Sequence, residues 1–254
     1  MTSKPASEGV AFIADIAQRL VLTSQRQQQS ILDAGALVAD ALRSKGIPYI
    51  YDSGHMVSHE LIMRTGGLVA WTALELAPTR TPDNDWLSRR TQRSPDDTSA
   101  RRVRWIDACV DAAGVAAGDV LILVSVSGTS ATIVDLADVA RSRGAKVVAV
   151  TAVDFSAELA PQHASGRRLL DCADVVLDLG VPYGDAAFAI PGLDRPVGAV
   201  SGIVGATLVW AVSVEAVALL VADGLIPSVY TSINLPNGSE AVATVQARYA
   251  EEGL

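Results

Sequence analysis

The densest cluster of reactive groups in the chain is Ser125-Val126-Ser127-Gly128-Thr129-Ser130, four hydroxyls around one glycine. Hydroxyl donors and free backbone N–H groups at the start of a helix suit an anion, and phosphate most naturally. The loop holds no lysine, and the chain contains neither G-x-G-x-x-G nor G-x-x-x-x-G-K-[ST]. A dinucleotide fingerprint and a triphosphate P-loop are therefore excluded, and a single phosphate monoester fits. Helix capping by Ser or Thr is the plainer reading, but it needs one or two hydroxyls rather than four. Acid–base candidates lie elsewhere. His55 follows Ser53-Gly54, Glu60 comes shortly after, and His163 stands in H-A-S-G-R-R beside Arg167 and Arg168, two further anion donors. His55 and His59, four apart with Glu60 adjacent, also make a possible zinc pair.

The elements around the hydroxyl loop read strand, loop, helix, strand. Residues 120–126 are an almost unbroken branched apolar run, as in a parallel strand buried on both faces. Residues 131–143 place Ile133, Val134, Leu136, Ala137 and Ala140 on one side of a helix, with Gly144 as its left-handed cap. Residues 146–151 form the next buried strand. Upstream, 12–44 reads as one long helical tract with a polar middle at 25–29. Residues 47–51 read as the first strand, 52–55 as its loop, 56–64 as a short helix and 67–71 as a second strand. Residues 78–100, rich in Pro, Asp, Arg and Ser, read as a long loop before a helix at 102–113. Further on come a helical turn at 157–163, a strand at 174–178 and an irregular segment at 181–198. The alternation predicts an α/β fold: a doubly wound, mostly parallel sheet flanked by helices, with a long N-terminal helix, as one domain over 1–254. Such sheets bind ligands outside the carboxyl ends of their strands, so Ser53 and Gly54 join Ser125, Ser127, Gly128, Thr129 and Ser130 as phosphate-binding candidates.

The hydroxyl loop, followed by an alanine-rich helix and R-G-A-K-V-V-A-V-T, resembles the sugar isomerase (SIS) domain family. Ser53-Gly54-His55, His163-Ala164-Ser165-Gly166, Gly184-Asp185-Ala186 and Ser201-Gly202-Ile203-Val204-Gly205-Ala206 extend the resemblance across almost the whole chain. They point to single-domain members named as phosphoheptose isomerases. The resemblance implies a phosphosugar isomerase acting through an enediol, with Glu60 as its base and no obligatory cofactor, and His55 and His163 stay as the further acid–base candidates among the residues. Zinc is the alternative, because some phosphoheptose isomerases are metal-assisted. A sugar-phosphate sensor and an amino-sugar phosphate etherase are the other activities it allows. The first loop departs from the family pattern: resembling members read G-x-G-H-S-H where this chain has Asp52-Ser53-Gly54-His55-Met56. A carboxylate at 52 would repel a phosphate a few ångströms away.

Bulk properties narrow the remaining classes. A formal net charge of −8 argues against a nucleic-acid surface. Two cysteines form no metal or disulfide pattern, which fits a cytoplasmic protein. The run 199–221 is long enough to span a bilayer. Glu215 within it, and the lack of flanking basic residues, favour a helix buried between the sheet and a neighbouring subunit. A soluble homodimer or homotetramer binding a small sugar phosphate is the expected assembly.

Overall fold

The computed structural model describes residues 7–54, 57–76 and 95–254, with residues 95–98 described by their backbone alone. Five parallel strands form the central sheet: β1 (Pro48–Asp52), β2 (Thr72–Ala73), β3 (Val120–Val124), β4 (Lys146–Thr151) and β5 (Val175–Asp178). Their order is β2-β1-β3-β4-β5, so the chain reverses its winding between β1 and β3. That reversal opens a crevice at the carboxyl ends of β1 and β3, where doubly wound sheets take their ligands.

Strand periodicity divides the core into two layers. Val120, Ile122 and Val124 join Ile50, Val148, Val150 and Leu177 on one face. Covering them are α2 (Gln28–Arg43), α3 (Val57–Leu61) and α7 (Ser201–Ala222). Leu121, Leu123, Tyr49, Val147 and Ala149 face the other way, under α4 (Pro95–Ala112) and α5 (Ala131–Ser142). Every residue of β3 is buried, and each such side chain contributes roughly 1.5–3 kcal/mol. Gly144, at φ +89°, lets the chain turn from α5 into β4. Beyond these lie α6 (Val153–Glu158), the hairpin β6 (Ala186–Phe188) and β7 (Val197–Ala199), and α8 (Gly238–Glu252).

Several elements depart from the sequence expectation. The tract 12–44 is two helices, α1 (Glu8–Arg26) and α2, broken at Gln27. The Gln27 side chain accepts a hydrogen bond from the Asp178 backbone N–H at 3.0 Å, tying the break to the end of β5. Residues 67–71 are not a sheet strand. Leu68 makes a single antiparallel bridge to Val229, and Val69 N–H donates to the Ser228 carbonyl, so this stretch pairs with the C-terminal segment. The expected loop 78–100 overlaps residues outside the described ones, but 95–100 are already helical, with Pro95 in the first turn where its missing N–H costs nothing. The helical turn expected at 157–163 comes earlier, as α6, and the irregular 181–198 holds the short hairpin.

The apolar helix α7 has the length and composition of a membrane span. It packs along α2, where the Glu215 side chain lies so close to Gly35 that an added Cβ would meet its Cγ at 2.6 Å. A glycine is therefore required at the crossing.

Candidate functional site

The hydroxyl loop connects β3 to α5 in the crevice. Its shape is braced from behind: Gln162 N–H donates to the Thr129 carbonyl at 3.0 Å, and Leu169 N–H to the Gly128 carbonyl at 2.8 Å. Gly128 adopts φ +59°, and a Cβ there would meet Thr151 Oγ1 at 2.8 Å and Leu169 Cβ at 3.2 Å. Only glycine fits this left-handed, enclosed position.

The four hydroxyls divide their work. Ser125 Oγ accepts from Gly128 N–H at 3.3 Å and Ser130 Oγ from Ile133 N–H at 3.4 Å, so one braces the loop and the other caps α5. Thr129, 2% exposed, donates to Ser127 Oγ at 3.3 Å. Ser127 thus keeps its own hydroxyl hydrogen. Among the described residues, the backbone N–H groups of Ser127, Thr129, Ser130, Ala131 and Thr132 have no acceptor. Capping occupies Ser130 Oγ and leaves these donors open at the positive, N-terminal end of the α5 dipole.

The loop after β1 is arranged differently. Asp52 Oδ1 accepts from Gly54 N–H at 2.7 Å, and Oδ2 accepts from Val57 N–H at 2.7 Å and Ser58 N–H at 3.4 Å. Ser53 commits both its N–H and its hydroxyl to the Val124 carbonyl, each at 3.0 Å. The Asp52 carboxylate therefore fills the anion position that Ser53 and Gly54 were expected to offer. An aspartate two residues before a glycine and just ahead of a helix carries this self-capping signal in the sequence. Burial, and then the charge of Asp52, push the neighbouring Tyr51 phenol up from its ordinary value.

A cavity of about 560 Å³ opens beside β1 and α3, lined by Tyr51, Asp52, Ser58, His59, Ile62 and Glu75. His59, which the sequence offers only as a metal partner, lines it, and Glu60 does not. Glu60 pairs with Arg64 at 3.1 Å and lines an adjoining groove of about 790 Å³ with His59, which reaches both, and with Ile203, Thr207 and Trp210 of α7. Among the described residues, no hydrogen bond or ion pair joins Glu60 to the hydroxyl loop. His55 lies outside the described residues, and the zinc pair with it. Among the described residues no group of three His, Cys, Asp or Glu side chains could hold a metal.

His163 stands close behind the hydroxyl loop, but its ring is engaged by Asp135 and Ser165. Arg167 is held by both oxygens of Asp138, and Arg168 by the Ser156 and Leu159 carbonyls, so neither faces an anion. The remaining motifs are structural. Asp185, at φ +67°, accepts from Val200 and Ser201 N–H and from Ser201 Oγ at 2.6 Å, capping α7 from the hairpin. Spacing in the sequence could not pair residues sixteen apart across an irregular segment.

Comparison with known proteins agrees with this architecture. The UPF0309 protein of Halalkalibacterium halodurans is 35% identical over 214 residues, covering 83% of this chain and 85% of its own. The UPF0309 protein of Streptomyces griseus subsp. griseus is 32% identical over 236 residues, 91% of each chain. Among solved structures, the phosphoheptose isomerase of Neisseria gonorrhoeae superposes with a TM-score of 0.50 at 21% identity, covering 80% of this chain and 94% of its own, a likeness of fold. The SIS domain model matches residues 11–152, which include the crevice, β3 and the hydroxyl loop, and the chain belongs to the SIS domain family.

Proposed function

We propose that this chain is a phosphosugar isomerase that interconverts the aldose and ketose forms of a sugar phosphate through an enediol. The observation that carries this reading is the loop 125–130, whose unpaired backbone donors and Ser127 hydroxyl stand at the N-terminal end of α5 beside the switch-point crevice. A phosphate monoester there would leave its sugar lying toward the β1 cavity. The base would take the C2 proton of the aldose and return it at C1 of the enediol, while a second group moves a proton between the two oxygens. Glu60 is the proposed base, with His55 as the acid–base partner, and no cofactor enters the reaction.

The experiment is isotope wash-in from deuterated water across a panel of aldose and ketose phosphates. Deuterium should enter C1 or C2, and Glu60→Gln should slow exchange by about two to four orders of magnitude while phosphate binding survives. Binding without any exchange in the wild type would overturn the isomerase reading.

One observation favours a second reading. Glu60 sits in a groove apart from the hydroxyl loop and is already paired with Arg64. A protein that binds a sugar phosphate without turning it over needs only the loop. The assembly proposal bears on this choice. Val214 of α7 is 65% exposed and Val10 and Ile13 of α1 are 64% and 67% exposed, apolar surface that a homodimer or homotetramer would cover. Light scattering should give a dimer or larger at micromolar concentration, and a monodisperse monomer would contradict it. The same proposal covers a single domain over the whole chain and a cytoplasmic setting, supported by two free cysteines.

A further inference from the structure

His163 belongs to a chain of hydrogen bonds that the isomerase chemistry leaves unused. Its Nδ1 lies 2.7 Å from Ser165 Oγ and its Nε2 lies 3.1 Å from Asp135 Oδ1. The Ser165 backbone N–H also points at Nδ1, at 3.2 Å, so Nδ1 carries the lone pair and Nε2 the proton. Asp135 is 5% exposed, and its second oxygen holds the Arg102 guanidinium, so the carboxylate cannot turn away from the ring. Ser165 itself is exposed. Its Oγ receives Arg167 Nε at 3.1 Å, and that guanidinium is fixed by Asp138 at 2.9 and 2.5 Å.

We propose that Ser165 is a nucleophilic serine, activated by His163 and oriented through Asp135, that takes an acyl group from an activated carboxylic ester. Nucleophile, base and orienting carboxylate stand in hydrogen-bonded sequence, which is the geometry nucleophilic catalysis requires. The ring is used in the opposite sense to the familiar serine triad, with Nδ1 toward the serine and Nε2 toward the aspartate. Ser165 Oγ attacks the ester carbonyl carbon, its proton passes to Nδ1, and the carbonyl π electrons move to oxygen. Asp135 stabilises the imidazolium at Nε2. Collapse breaks the bond to the alkoxide or phenoxide, which takes the proton from Nδ1, and leaves the acyl ester on Ser165. Water deprotonated by the same Nδ1 then releases the carboxylic acid and restores the hydroxyl.

The test uses the folded full chain and para-nitrophenyl acetate, following nitrophenolate release and locating the acetyl group by peptide mass spectrometry. The acetyl group should appear on Ser165 and disappear from that peptide in Ser165→Ala, while Ser165→Cys should accept it again as a thioester. His163→Gln should slow acylation by about two to four orders of magnitude. Because His163→Gln also removes a contact to α5, circular dichroism is read in parallel, and the exposed Ser165 variants decide the matter if that chain is unfolded. Acetyl groups found only on lysine or tyrosine, or Ser165 acylated at the same rate in a folded His163→Gln, would overturn the proposal.

Discussion

The loops after β1 and β3 leave adjacent parallel strands at the same end of the sheet, yet they dispose of their donors in opposite ways. After β1, Asp52 supplies its own carboxylate to the N–H groups of Gly54, Val57 and Ser58. After β3, the N–H groups of Ser127, Thr129 and Ser130 have no acceptor among the described residues, and no acidic side chain stands in the loop. The difference teaches that a crevice position alone does not make an anion site. What decides is whether the sequence brings its own anion. With Asp52 in place, the first loop is a finished structural turn that shapes the edge of the β1 cavity, and the second loop is left with open donors, as the proposed phosphate site requires.

Breaking the second loop's frame should have the largest effect. Gly128→Ala combines a left-handed backbone, costing roughly 1–2 kcal/mol, with a Cβ pressed to 2.8 Å from Thr151 Oγ1, where overpacking typically costs about 1–3 kcal/mol. Chemical denaturation should therefore register a loss of about 2–5 kcal/mol. Unchanged stability would mean that the loop is not held from behind as described.

Removing the first loop's internal anion should cost less. Asp52→Ala leaves the cap donors of α3 without their acceptor and should lower stability by about 1 kcal/mol, as other lost N-terminal caps do. Thermal unfolding of Asp52→Ala beside the wild type checks this. A stability matching the wild type would mean that the carboxylate is free for another role, and the contrast between the two loops would dissolve.

The stretch from β3 to β4 was legible in the sequence for a physical reason. A strand buried on both faces must be apolar throughout, a helix against it must repeat its apolar residues at helical spacing, and Gly144 must end that helix. All three signals are local. What was not legible depends on partners far along the chain. The break at Gln27 is made by the Asp178 backbone, and 67–71 is drawn from the sheet by Ser228 and Val229. The hairpin strands have three residues each, too short to show a period.

The candidate site followed the same rule. The loop 125–130 announced itself by composition, and the sequence also flagged the odd carboxylate at Asp52, though not that it would be satisfied within its own turn. Glu60 and His163 were singled out by residue type and position. Glu60 is paired with Arg64, an i,i+4 neighbour that spacing offers, whereas the His163 ring is held by Asp135 on α5, a contact that spacing does not give.

The most direct test of the contrast is calorimetry with whichever sugar phosphate from a small panel stabilises the wild type, repeated on Ser127→Ala and Ser53→Ala. A hydrogen bond to a charged group is worth roughly 1.5–3 kcal/mol, so Ser127→Ala should weaken binding by about ten- to a hundred-and-fifty-fold. Ser53, whose donors are spent on the Val124 carbonyl, should leave affinity within a few-fold of the wild type when replaced by alanine. Equal affinity for Ser127→Ala and the wild type, or a loss in Ser53→Ala as large as that in Ser127→Ala, would contradict the assignment of the anion site to the loop after β3.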